Sequence, residues 1–112
     1  MDNRRERSDK LEESVRQVVE VIVGAAKPQR VVLFGSSARG DAGPDSDLDI
    51  LVVVPSGRHR RNTAREIYRR LARLGFAVDV VVVTSEDVER HRDDPSMVIA
   101  TALSEGRVLY AA

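Results

Sequence analysis

Asp47 and Asp49 open a segment, DLDILVVV, that is otherwise unbroken apolar sequence, and Asp79 interrupts a second such run, FAVDVVVV. Runs of this kind read as strands buried on both faces, where an ionised side chain is costly unless it is paired or holds a cation. Two apart on an extended strand, Asp47 and Asp49 share a face, and three carboxylates converge if the strand carrying Asp79 lies alongside. Burial alone would drive them to protonate, whereas a hard divalent cation such as Mg²⁺ neutralises them and keeps waters for a phosphate. Singly, each acid has a plainer reading: Asp47 as a turn residue of PDSD, Asp49 as an exposed edge position, Asp79 as a salt-bridged surface acid. The three together favour a metal site.

The rest of the chain alternates helix and strand. After a polar lead-in over residues 1–7, expected to be flexible, Ser8 is a candidate N-cap, and Leu11, Val15, Val18, Val19 and Ile22 mark one face of an amphipathic helix. Gly24 and Pro28 are expected to stop it. Arg30 to Phe34 predicts a short buried strand ended by Gly35, and Asp47 to Val54 a central strand closed by Pro55. Ala64, Ile67, Tyr68, Leu71 and Leu74 predict a helix over Arg58 to Leu74, with Tyr68 in the core. A strand over Phe76 to Val83, a short helix after Thr84 or Ser85, another over Met97 to Leu103, and an edge strand over Arg107 to Tyr110 complete the pattern. This order predicts a single α/β (α+β) domain over residues 8–112, with a short mixed β-sheet flanked by helices.

Between the first two strands, Gly35 and Ser36 fall where a short helix, SSAR, can begin. Backbone N–H groups at a helix start attract phosphate, a serine hydroxyl adds a donor, and glycine lets the ligand approach the backbone. A routine strand-to-helix turn with Ser36 or Ser37 as N-cap explains a lone Gly-Ser equally well. A P-loop does not fit, because Asp41 and Ala42 stand where that loop needs Lys and Ser or Thr. Haloacid-dehalogenase-like phosphatases and many glycosyltransferases also use Asp-x-Asp, but after their apolar strand rather than at its start.

The stretch FGSSARGDAGPDSDLDILV, in which Gly-Ser is followed after ten residues by Asp-x-Asp, resembles the signature of the DNA polymerase β nucleotidyltransferase superfamily. More narrowly, it resembles the minimal nucleotidyltransferases, antitoxins of HEPN/MNT toxin–antitoxin pairs. The resemblance implies that Gly35 and Ser36 bind triphosphate, that Asp47 and Asp49 are paired metal ligands and catalytic residues, and that Asp79 is the third carboxylate. Arg39 matches an arginine common in this stretch and would touch phosphate, although an ion pair with Asp41 or Asp45 accounts for it equally. By the same resemblance the expected reaction uses two Mg²⁺ ions and ATP and transfers AMP to a tyrosine of a HEPN-type toxin. Two alternatives stand beside it: a non-catalytic antitoxin that neutralises by complex formation, and a nucleotidyltransferase acting on a small molecule or an RNA end.

At 112 residues there is room for one modest core and no appended substrate domain, so the acceptor is expected to arrive on another macromolecule or a second subunit. The chain has no cysteine, a charged start without a signal-peptide pattern, and no apolar run long enough for a membrane span, which leads to a cytoplasmic expectation. Eighteen Lys and Arg balance eighteen Asp and Glu, so no global field argues for nucleic acid. The charge is uneven, however: Arg61, Arg65, Arg69 and Arg73 recur every four residues. That stripe reads as a solvated helix face, with RNA phosphates or an acidic partner as the alternative. His59 and His91 lie in polar surroundings and read as surface residues.

Overall fold

The computed structural model describes residues 3–35, 38 and 48–112. In chain order they form α1 (Asn3–Ala26), β1 (Arg30–Phe34), β2 (Leu48–Val54), α2 (Arg60–Arg73), β3 (Val78–Thr84), α3 (Ser85–His91), α4 (Val98–Glu105) and β4 (Arg107–Ala111). The sheet order is β3-β2-β1-β4. β1 pairs antiparallel with both β2 and β4, and β2 pairs parallel with β3, so the sheet is mixed, as expected. The four-residue reach of the edge prediction extends by one residue to Ala111.

Alternation along the strands assigns two covered faces. Ile50, Val52 and Val54 of β2, with Val31, Leu33, Val78 and Val80, pack against Val15, Val18 and Ile22 of α1 and Ile67 and Leu71 of α2. Val32, Leu51, Val53 and Val83 pack on the other face against Val88 of α3 and Ile99 and Ala102 of α4. β2 sits between two neighbours and two helical layers, which is why its sequence is apolar on both parities. Asp49 is the position that breaks the pattern.

The helix ends differ from the sequence reading in ways that have local causes. α1 begins at Asn3, upstream of Ser8, and runs through Gly24 to Ala26. Burying Ala26 rewards the extra turn against the roughly 1 kcal/mol that an interior glycine costs. Lys27 then takes a positive φ of 46° ahead of Pro28, and the Arg58 guanidinium donates to the Ala26 carbonyl. Tyr68 is not core. It is 42% exposed, and its hydroxyl accepts from the Val80 N–H at 2.8 Å and donates to the Val80 carbonyl at 3.3 Å. Since β3 is an edge strand, this side chain occupies backbone groups that would otherwise be open to a foreign strand. Leu74 is 57% exposed because it falls at the C-cap, beyond the buried face of α2.

His59 caps α2: its Nδ1 accepts from the Asn62 N–H at 3.1 Å. At α3 a capping box closes reciprocally, with the Asp87 N–H donating to the Thr84 hydroxyl at 3.1 Å and the Thr84 N–H donating to the Asp87 carboxylate at 2.9 Å. That backbone bond holds the Asp87 carboxyl below its ordinary value. The contribution is therefore present at neutral pH and is lost as the solution is acidified through the depressed pKa. Thr84→Ala is expected to cost about 1 kcal/mol, read as a lower urea midpoint with unchanged m-value.

Candidate active site

Parallel pairing of β2 and β3 sets Asp49 opposite Asp79 in register, flanked by the pairs Leu48 with Val78 and Ile50 with Val80. Strand neighbours stand roughly 5 Å apart, so the two carboxylates share one local environment. By alternation both lie on the face that α3 and α4 cover. Those helices reach Leu51, Val53 and Val83 but stop short of the acidic end, where Asp79 is exposed and Asp49 half-buried. Among the described residues, the site is thus the end of this sheet face that α3 and α4 do not cover.

Gly35 closes the site from β1. In the antiparallel register Phe34 stands opposite Asp49, so the chain turns at Gly35 directly beside that carboxylate. Gly35 has φ of 74°, and a methyl group built on it would lie 3.2 Å from the Asp49 carboxyl carbon. Glycine is required twice here, for the left-handed turn and for the close approach. Gly35→Ala is expected to cost about 1 to 3 kcal/mol and to displace the Asp49 side chain, measurable by thermal melting together with nucleotide affinity.

Among the sequence-derived candidates, Gly35, Asp49 and Asp79 are brought together. Asp47, Ser36 and Arg39 lie outside the described residues; Ala38, within SSAR, is helical. Among the described residues no group of three metal-ligating side chains assembles, so Asp49 and Asp79 alone make a pair of hard oxygen donors, suited to Mg²⁺ in chemistry and needing further ligands to complete a shell. His59 and His91 take no part: one is a helix cap, and the other sits at the end of α3.

Two carboxylates thus stand opposite each other across parallel strands, beside a glycine turn. The sequence matches the profile of the nucleotidyltransferase domain over residues 8–109, and the chain belongs to that family. Solved structures share the fold. A Sulfolobus solfataricus protein assigned as a nucleotidyltransferase aligns with a TM-score of 0.66 at 20% identity, covering 95% of this chain and 85% of its own. A toxin–antitoxin structure with AMP-PNP gives 0.64 at 21% identity, covering 87% and 73%. A mutant of the toxin–antitoxin pair MntA-HpeT gives 0.58 at 18% identity, covering 87% and 72%. No curated protein sequence matches the chain. Among the described residues no helix is long and apolar enough to cross a membrane.

Proposed function

We propose that residues 8–112 act as one Mg²⁺-dependent nucleotidyltransferase domain that transfers AMP from ATP to a tyrosine hydroxyl of a HEPN-type partner toxin in the cytoplasm, and so serves as an antitoxin. The observation that carries this reading is the in-register pair Asp49 and Asp79 beside the Gly35 turn. Asp47, two residues before Asp49, is the third ligand in this reading. Bound there, Mg²⁺ supplies neutralisation of the triphosphate and polarisation of its α-phosphorus. Gly35, Ser36 and Arg39 bind the triphosphate oxygens through backbone, hydroxyl and guanidinium donors. Asp79, the more exposed carboxylate, accepts the proton of the incoming hydroxyl. The tyrosine oxygen then bonds to the α-phosphorus as the bond to pyrophosphate breaks.

The antitoxin role draws support from the two toxin–antitoxin neighbours, each aligned over 87% of this chain, and from the exposure of Asp79. Intact mass spectrometry of the partner, incubated with this protein, Mg²⁺ and ATP, tests it. A gain of one or more AMP units is expected. If no nucleoside triphosphate yields a mass gain while a stable complex forms, neutralisation is by contact and the transfer reaction is refuted.

A further inference from the structure

The outer face of α2 is electrostatically out of keeping with the rest of the protein. The helix carries six arginines against one glutamate, within a chain of net charge zero. Off this helix several arginines are answered by acids, Arg16 by Glu13, Arg90 by Glu86 at 2.8 Å and Arg107 by Glu12 at 2.8 Å, while at its first residue Arg60 pairs with Asp87 at 3.1 Å. On α2, Glu66 serves both Arg69 at 3.5 Å and Arg70 at 3.0 Å. Among the described residues no acid comes within ion-pair distance of Arg61, Arg65 or Arg73, and all three are exposed. Like charges four apart on a helix repel, and the first turn, at the positive end of the helix dipole, contains no acid. A solvated face could mix signs at no loss. This one accumulates a single sign.

Its geometry is that of a comb. Arg61, Arg65, Arg69 and Arg73 are spaced by about 6 Å of helix rise and span about 18 Å. They point away from the sheet, since Ile67 and Leu71 on the opposite side of the helix are buried. At its N-terminal end the comb runs into a shallow concavity lined by Arg58, His59, Arg60, Arg61, Ala64 and Val82. Val82 lies toward the far end of β3 from Asp79, so this surface is separate from the acidic site.

We propose that the α2 comb and this concavity bind the phosphate backbone of a single nucleic-acid strand, independently of the nucleotidyl site. Guanidinium forks match phosphate oxygens, and their regular spacing suits a repeating anion. An acidic protein face is the competing occupant, but protein interfaces are built around apolar or aromatic centres, and this face has none among its four arginines. Tyr68, the one aromatic residue of α2, has its hydroxyl committed to Val80, so recognition is of backbone rather than base.

Fluorescence anisotropy with labelled mixed-sequence single-stranded RNA and DNA 20-mers, without Mg²⁺, tests this. Both strands are expected to bind with similar affinity, and log K is expected to fall against log salt with a slope of about −3, at about 0.7 per phosphate for four contacts. Combining Arg61→Gln, Arg65→Gln, Arg69→Gln and Arg73→Gln, which keeps helix propensity, is expected to weaken binding at least about tenfold and flatten the slope. The matching Lys replacements, checked for helicity by circular dichroism, are expected to retain the slope. Asp49→Asn with Asp79→Asn is expected to bind as the unaltered protein does. Unchanged affinity and slope in the Gln variant would overturn the proposal, as would binding of poly-L-glutamate in preference to RNA, the mark of an acidic protein partner.

Discussion

Exchange of Asp49 for Asn is expected to cut nucleotidyl transfer by about a hundredfold to a thousandfold while leaving a folded protein, on the scale of losing one charge-stabilising group from a phosphoryl-transfer site. Asn keeps the shape that fits against Gly35 and removes the charge and one acceptor oxygen. The loss should fall on the rate at saturating ATP more than on partner affinity, because the partner need not touch this half-buried side chain. Asp79→Asn should lose comparable activity, yet in metal-free protein it should not lower the melting temperature, since it removes a like charge opposite Asp49. Activity and thermal stability then move apart, as expected when two acids are held together for chemistry rather than for the fold. Single-turnover transfer assays beside thermal melts check both outcomes.

Leu51→Ala is expected to cost about 2 to 5 kcal/mol, a large share of the roughly 5 to 15 kcal/mol that stabilises a domain. Leu51 is fully buried at the centre of β2, and among the described residues its cluster is the smaller of the two, closed over by α3 and α4. Val108→Ala, on an exposed stretch of β4, should change stability by less than about 0.5 kcal/mol. Urea denaturation of the two variants measures the contrast. Since Leu51 is two residues from Asp49 on the same face, its loss should also loosen the acidic end.

Both effects trace to strand sequence, and strand sequence was the most legible part of the chain. The unbroken runs in β2 and β3 require burial on two faces, and the mixed sheet supplies it. Asp47, Asp49 and Asp79 stood out because nothing else in those stretches is charged. Their adjacency was conditional on strand order, which no periodicity specifies; the parallel register meets the condition for Asp49 and Asp79. Asp47, Ser36 and Arg39 lie outside the described residues.

Other features depended on tertiary partners that local pattern does not encode. Gly24 looks like a stop, but Ala26 buries the following turn. Tyr68 falls on an apolar period and reads as core, while the edge of β3 draws its hydroxyl outward to Val80. The cap at His59 was missed because histidine lies outside the usual capping residues, and only the turn geometry brings its Nδ1 to Asn62. The arginine stripe was visible as spacing alone. The one acid of α2, Glu66, pairs within the helix with Arg69 three residues on and Arg70 four residues on.

Titration calorimetry with a non-hydrolysable ATP analogue tests most directly whether Asp49 and Asp79 form one metal-dependent nucleotide site. With Mg²⁺ present the unaltered protein is expected to bind the analogue, with binding weakened at least about tenfold when the metal is chelated or when Asp49→Asn is combined with Asp79→Asn. Binding that is indifferent to Mg²⁺ and survives in the double variant would contradict the account.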